Sequence, residues 1–173
     1  MPTVVSTRTL GAAPQLLWEV VADPERLPEW WPNVRRVEAA SRAAWTTVLG
    51  TAKGTSIRAD YTLLDAEHPH RLSWRQELGE SPFERILRES VTELELEPAP
   101  EGTLVRLTAR LRLRGLSRLG GFQMSRATGR QLEAALEGLR AVASGRITRS
   151  SRTSPHTVSR GAKSSRSRRS SAS

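Results

Sequence analysis

The sequence predicts an α+β fold in which one antiparallel sheet of seven strands packs against a long C-terminal helix, with two short helices after the first strand. Three observations predict it. Between Gly115 and Ala143, Gly121, Met124, Thr128, Leu132, Ala135, Leu136, Leu139 and Val142 recur at steps of three and four, which places them on one helical face. Arg126, Arg130, Glu133, Glu137 and Arg140 fall on the opposite, solvated side. From Val34 to Arg114 the chain instead alternates in short stretches separated by turn residues, and before that stretch stand a short strand and two proline-limited helical segments.

Taken in order, Thr3 to Leu10 is rich in Thr and Val and alternates weakly, as a first strand does. Gly11 interrupts it, and Pro14 suits the first turn of a helix whose apolar stripe is Leu16, Leu17, Val20 and Val21. Asp23-Pro24 stops that helix. Pro28 and Pro32 allow only a short second helix, with Trp30 and Trp31 at its end. Val34–Ala40 and Ala44–Gly50 follow as short strands.

The next two hairpins carry register information. Ile57, Ala59, Tyr61 and Leu63 alternate with polar residues, as do Leu72, Trp74, Gln76 and Leu78. Pairing them across Glu67–His70 sets Leu63 opposite Leu72, Tyr61 opposite Trp74, Ala59 opposite Gln76 and Ile57 opposite Leu78, with Asp60 facing Arg75 and Arg58 facing Glu77 outside. Across Pro98–Gly102, Leu96 meets Val105, Leu94 meets Leu107, Thr92 meets Ala109, Ser90 meets Leu111 and Arg88 meets Leu113, while Glu95 faces Arg106 and Glu89 faces Arg112. In this register Thr92, Ser90 and Arg88 point inward, where they require polar partners or a hydrated cavity. A β-bulge near Val91 would instead turn Arg88 and Ser90 to solvent and bring Val91 and Leu87 inward.

The 173 residues suffice for one domain with a substantial core. The net charge of +9 is unevenly placed. Residues 146–173 hold eight Lys or Arg and no acid, which leaves 19 basic and 18 acidic side chains in residues 1–145. The expected organisation is a nearly neutral folded domain, 1–145, and a Ser/Arg-rich tail, 146–173, too poor in apolar residues to fold. Such a tail can make loose electrostatic contact with nucleic acid or anionic surfaces, or simply solubilise the protein. Cysteine is absent, which excludes disulfides, thiolate metal sites and a Cys nucleophile. With neither a leader-like N-terminus nor a stretch approaching the ~18 apolar residues of a membrane span, a cytoplasmic location is the default expectation.

The element order, the phrase Pro14-Gln-Leu-Leu-Trp-Glu-Val-Val-Ala-Asp-Pro-Glu-Arg-Leu-Pro-Glu-Trp-Trp-Pro-Asn33, the Gly102-Thr103 pair and Gly115-Leu-Ser-Arg-Leu-Gly-Gly121 resemble the START/Bet v 1-like (SRPBCC) superfamily, specifically its bacterial polyketide cyclase/dehydrase proteins. The resemblance covers roughly residues 3 to 143. It implies a helix-grip fold, with the sheet wrapped around the long helix and an apolar cavity that opens near the two short helices, where Trp30 and Trp31 lie. Activity does not follow, because the superfamily holds carriers, receptors and enzymes.

Reactive groups do not converge in the sequence. His68 and His70 share a turn without an identifiable third metal ligand, and neither a nucleophile elbow nor a phosphate loop occurs. No cofactor is implied. The aromatic set is more informative. Five Trp accompany one Tyr and two Phe, and Trp74 and Tyr61 belong to the inner face of the sheet. The site expected from these residues is a ring-lined pocket of Trp30, Trp31, Tyr61, Trp74, Gln76, Arg88, Ser90 and Thr92, roofed by Met124 and Thr128 of the long helix. Arg88 would meet a ligand carboxylate or phenolate. The expected function is binding of a small hydrophobic molecule such as a polyketide, lipid or quinone. The competing readings are a cyclase or dehydratase using the same cavity, with Arg88 or Tyr61 assisting proton transfer, and an adaptor recruited through the basic tail.

Overall fold

The computed structural model describes residues 2–115 and 118–150, so the basic segment lies outside the described residues from 151 onward. Strand β1 (Thr3–Leu10) leads through Gly11–Ala13 into helix α1 (Pro14–Val21), which Pro14 starts without a side-chain cap. The Asp23 side chain then accepts from the Glu25 amide at 3.0 Å and caps a 3₁₀ turn, Pro24–Arg26. Helix α2 (Leu27–Trp30) ends because Trp31, the residue before Pro32, is pushed into an extended conformation. Strands β2 (Val34–Glu38), β3 (Ala44–Gly50), β4 (Ser56–Glu67), β5 (Arg71–Glu77), β6 (Leu87–Ala99) and β7 (Gly102–Leu113) follow, and helix α3 (Arg118–Ser150) closes the fold.

All seven strands form one antiparallel sheet in the order β1-β7-β6-β5-β4-β3-β2. The first strand therefore sits beside the last, and the sheet curves around α3. The main core joins Leu10, Leu17, Val20, Trp30, Trp45, Trp74, Leu94, Leu96, Val105 and Leu107 to Leu132, Leu136 and Leu139 of α3. A smaller apolar cluster of Leu78, Leu87 and Leu111, with Phe83, Leu113 and Met124 against it, lies toward the start of α3. No described helix is long and apolar enough to cross a membrane.

The β6–β7 hairpin has the expected register from Ser90 opposite Leu111 to Leu96 opposite Val105, and Glu95 and Glu89 face Arg106 and Arg112. It departs at one point. Leu87 pairs with Leu113 and Glu89 with Arg112, so Arg88 is the extra residue of a bulge and is exposed, while Leu87 is 6% exposed beside Leu78 and Leu111. Burying a Leu is favourable by about 1.5–3 kcal/mol, whereas an unpaired guanidinium inside costs several. The bulge lets the chain bury Leu87 instead of Arg88.

The β4–β5 register is shifted from expectation. Leu63 faces Trp74, Tyr61 faces Gln76 and Asp60 faces Glu77, with a bulge between Leu63 and Asp65. The turn closes at Glu67 opposite Arg71, with the His70 amide donating to the Glu67 carbonyl at 2.7 Å, and this sets the pairing. Because the shift is by an even number of residues along the alternating stretch, the inner face keeps its members. The outer ion pairs change. The Thr46 hydroxyl donates to Asp60 at 2.5 Å, Arg75 pairs with Glu77 at 3.1 Å, and Arg58 pairs with Glu38 at 2.5 Å. Glu77 is held below the usual carboxylate range, chiefly by the Thr62 hydroxyl at 2.8 Å and then by Arg75.

Gly102-Thr103 clamps the opening of the chain. Gly102 has φ +136°, and a Cβ there would lie 2.1 Å from the Leu10 carbonyl oxygen. The fully buried Thr103 donates its hydroxyl to the Ala12 carbonyl at 2.6 Å, which fixes the link between β1 and α1. Thr103→Val keeps the shape and leaves that carbonyl without its partner, so urea denaturation should report a loss of about 1–3 kcal/mol.

Candidate ligand cavity

A cavity of about 260 Å³ lies between the concave face of the sheet and the first half of α3, bounded by the main core on one side and the smaller cluster on the other. Strands β4, β5 and β6 supply Tyr61, Gln76, Ser90 and Thr92, and β7 supplies Ala109 and Leu111. The roof is Met124, Thr128, Gln131 and Leu132, at successive turns of one helical face. Seven of the residues expected from the sequence therefore meet here: Trp31, Tyr61, Gln76, Ser90, Thr92, Met124 and Thr128.

Three do not. Arg88 stands in solvent on its bulge. Trp30 is 3% exposed beneath α3 and Trp74 is 6% exposed, and both belong to the main core. They form an aromatic wall. The Trp30 and Trp31 rings meet edge to face at 5.3 Å, and Trp31 meets Trp74 at 5.8 Å in the same manner. Trp31 alone of the three reaches the cavity, with Trp30 and Trp74 packed behind it. Ile86, at 38% exposure, and Gln131 are the exposed members of the described lining.

Sequence reasoning did not place Leu49, Phe83, Ile86, Leu87, Ala109, Leu111, Gln131 or Leu132 in the lining. Ala109, Leu111 and Leu132 were legible as inward positions by their parity and helical spacing. Phe83 and Ile86 were not, because Phe83 lies in a 3₁₀ turn at Pro82–Arg85 and Ile86 caps its end, and so short a turn has no periodic signature.

Among the described residues, the lining contains no Asp, Glu, His, Lys or Arg. Its titratable member is Tyr61, which stacks on Trp45 with ring centres 5.8 Å apart. Burial pushes the Tyr61 phenol up to about 12, against a smaller lowering by the Thr47 hydroxyl and a smaller rise from Asp60. It is thus a hydrogen-bonding alcohol rather than a base near neutrality. Since Tyr61 is the single tyrosine in the chain, an alkaline absorbance titration reads this group alone, and its midpoint should fall near 12 instead of the ordinary 10. The folded state holds the proton more tightly than the unfolded state. Tyr61 therefore contributes stability that is complete below pH ~10 and is lost as pH rises toward ~12.

Compared with known proteins, residues 1–144 match the family model described as polyketide cyclase / dehydrase and lipid transport. The chain belongs to this family. None of the curated proteins compared matches it in sequence. Among solved structures, this family member is similar to a START superfamily protein from Mycobacterium smegmatis, with 14% identity, 83% of this chain and 97% of that chain covered, and a TM-score of 0.68. It is also similar to the di-domain ARO/CYC StfQ of the steffimycin biosynthetic pathway, with 14% identity, a TM-score of 0.70, and 84% of this chain but 51% of that one covered. A protein from Deinococcus radiodurans has 22% identity over 81% of this chain and 95% of its own, with a TM-score of 0.57. At these identities the likeness establishes the shared START-like, helix-grip fold alone.

Proposed function

We propose that the protein binds a small hydrophobic molecule in the cavity between sheet and α3, through Trp31, Tyr61, Gln76, Ser90, Thr92, Met124 and Thr128. The observation that carries this reading is a cavity of about 260 Å³ walled by Leu49, Phe83, Ile86, Leu87, Leu111 and Leu132 and sparsely dotted with neutral polar groups. The volume falls just below the ~300–1,000 Å³ typical of sites for drug-sized ligands, so the ligand is a compact one. Polyketide, quinone and short lipid-like molecules meet that description. Binding is favoured over cyclase or dehydratase chemistry because the described lining residues offer no carboxylate, imidazole or amine to move a proton, and Tyr61 holds its own to about 12. We further propose that residues 146–173, the first five of which continue α3, serve as a basic extension of the ligand-binding domain.

The test uses the neutral fluorescent probe N-phenylnaphthylamine. Its emission should rise saturably on addition of the protein, and Met124→Trp and, separately, Ala109→Leu should each weaken that binding at least tenfold while circular dichroism stays unchanged. Two differently placed blocks guard against one variant simply misfolding. Saturable binding left intact by both, or no saturable binding to the wild type, would overturn the reading.

A further inference from the structure

Resting on that reading, we infer that the ligand is uncharged and carries at least two oxygen atoms along one edge, recognised by Gln76, Ser90 and Thr92 on the cavity floor. The strand register sets these groups side by side. Tyr61 pairs with Gln76 across β4–β5, and Trp74 pairs with Thr92 across β5–β6. Carried one step past its last pair, Arg75–Val91, that register brings Ser90 opposite Gln76, and both line the cavity. Adjacent strands lie about 4.8 Å apart and residues of one face recur every ~6.7 Å along a strand, so the three side chains form a small triangle with two edges near those lengths and a Gln76–Thr92 diagonal of about 8 Å. Ser90 and Thr92 flank Leu111 and Ala109 of β7, which bound the triangle with apolar surface.

These groups are free to serve a ligand. Among the described residues, the side chains of Gln76, Ser90, Thr92 and Thr128 make no hydrogen bond to the protein, whereas other inward or half-buried hydroxyls do: Thr103 donates to Ala12, Thr47 to Ala59 and Thr62 to Glu77. Their polar atoms are not sealed in either. The occluded nitrogens without partners belong to Arg26, Trp30 and Arg71, none of which lines the cavity. A polar group on a half-buried surface gains by pairing, and an amide with two hydroxyls can both donate and accept. Neutral hydroxyl or carbonyl oxygens match that inventory. A carboxylate does not, since it would leave water with no cation among the described lining residues to receive it.

Displacement of N-phenylnaphthylamine by three ring-matched competitors tests this: naphthalene, a naphthalenediol with meta hydroxyls, and naphthoate. The diol should compete about tenfold more strongly than naphthalene, as two modest net hydrogen bonds imply, and naphthoate should be at least tenfold weaker than the diol. The double variant Gln76→Leu/Ser90→Ala should erase the diol's advantage, read as the ratio of diol to naphthalene potency measured in that same variant. Equal potency of diol and naphthalene in the wild type, or naphthoate as the strongest competitor, would overturn the inference and leave the proposed function standing. An advantage that survives in the double variant would overturn it as well. Failure of all three to displace the probe would instead overturn the proposed function.

Discussion

Gly138→Ala is expected to destabilise the protein, although alanine is the better helix former by about 0.8–1.0 kcal/mol. A Cβ at Gly138 would lie 2.3 Å from the Trp30 carbonyl oxygen and 2.9 Å from both the Trp30 carbonyl carbon and its Cα. These are backbone atoms of α2, so no side chain can turn away to relieve the contact. Helix α2 must move off α3, and it carries Trp30 and Trp31 with it. Overpacking of this kind costs about 1–3 kcal/mol, which outweighs the gain in propensity. Gly129→Ala is the internal control. Its Cβ would sit 3.7 Å from a Val4 methyl, an ordinary contact, so that substitution should stabilise by about 0.4–1 kcal/mol. Urea midpoints for the two variants should move in opposite directions. Gly138→Ala should also weaken probe binding, because Trp31 is a wall of the cavity.

Leu136→Ala should cost about 2–5 kcal/mol in urea denaturation, whereas Met124→Ala should cost less than about 1.5 kcal/mol. Leu136 is 1% exposed and sealed in the main core, so truncation there leaves a new void that the neighbours cannot fill. Met124 is only half-buried and already borders the cavity, and its removal enlarges a space that exists. Ligand binding should respond in the opposite order, with the larger change at Met124. The helix is thereby divided along its length, with Leu132 at the boundary as a member of both the lining and the core. Gly121, on the same helical face by its spacing, is not among the described lining residues, and a Cβ added there would lie 3.8 Å from a Leu113 methyl.

Much of this was legible in the chain because charge, parity and turn chemistry pointed the same way. The β6–β7 hairpin is the clearest case: inward Leu94 and Leu96, outward Glu95 opposite Arg106, and a Pro/Gly turn admit one register over most of its length. The β4–β5 hairpin has a second register that preserves both faces, and the bulge after Leu63 together with the turn at Glu67–Arg71 selects it. Alternation alone cannot distinguish registers two residues apart. Arg88 was misplaced for a related reason, since one extra residue in a strand leaves no compositional trace while it exchanges Leu87 for Arg88 inside. Adjacent Trp30 and Trp31 were assigned a common role, yet the last residue of a helical turn and an extended residue before proline project differently, and only Trp31 reaches the cavity. Gly138 was visible as a glycine inside a helical pattern, a signal of close packing that the apolar periodicity obscured.

The chain has two methionines, Met1 and Met124, and the second lies in the cavity roof. Methyl-labelled methionine therefore gives a spectrum in which one signal reports on the site directly. Titration with N-phenylnaphthylamine should shift the Met124 methyl resonance to saturation at one-to-one stoichiometry, with ring-current changes absent from Met1. Saturation of the probe with the Met124 methyl unmoved would place the ligand elsewhere and contradict a binding cavity beneath α3.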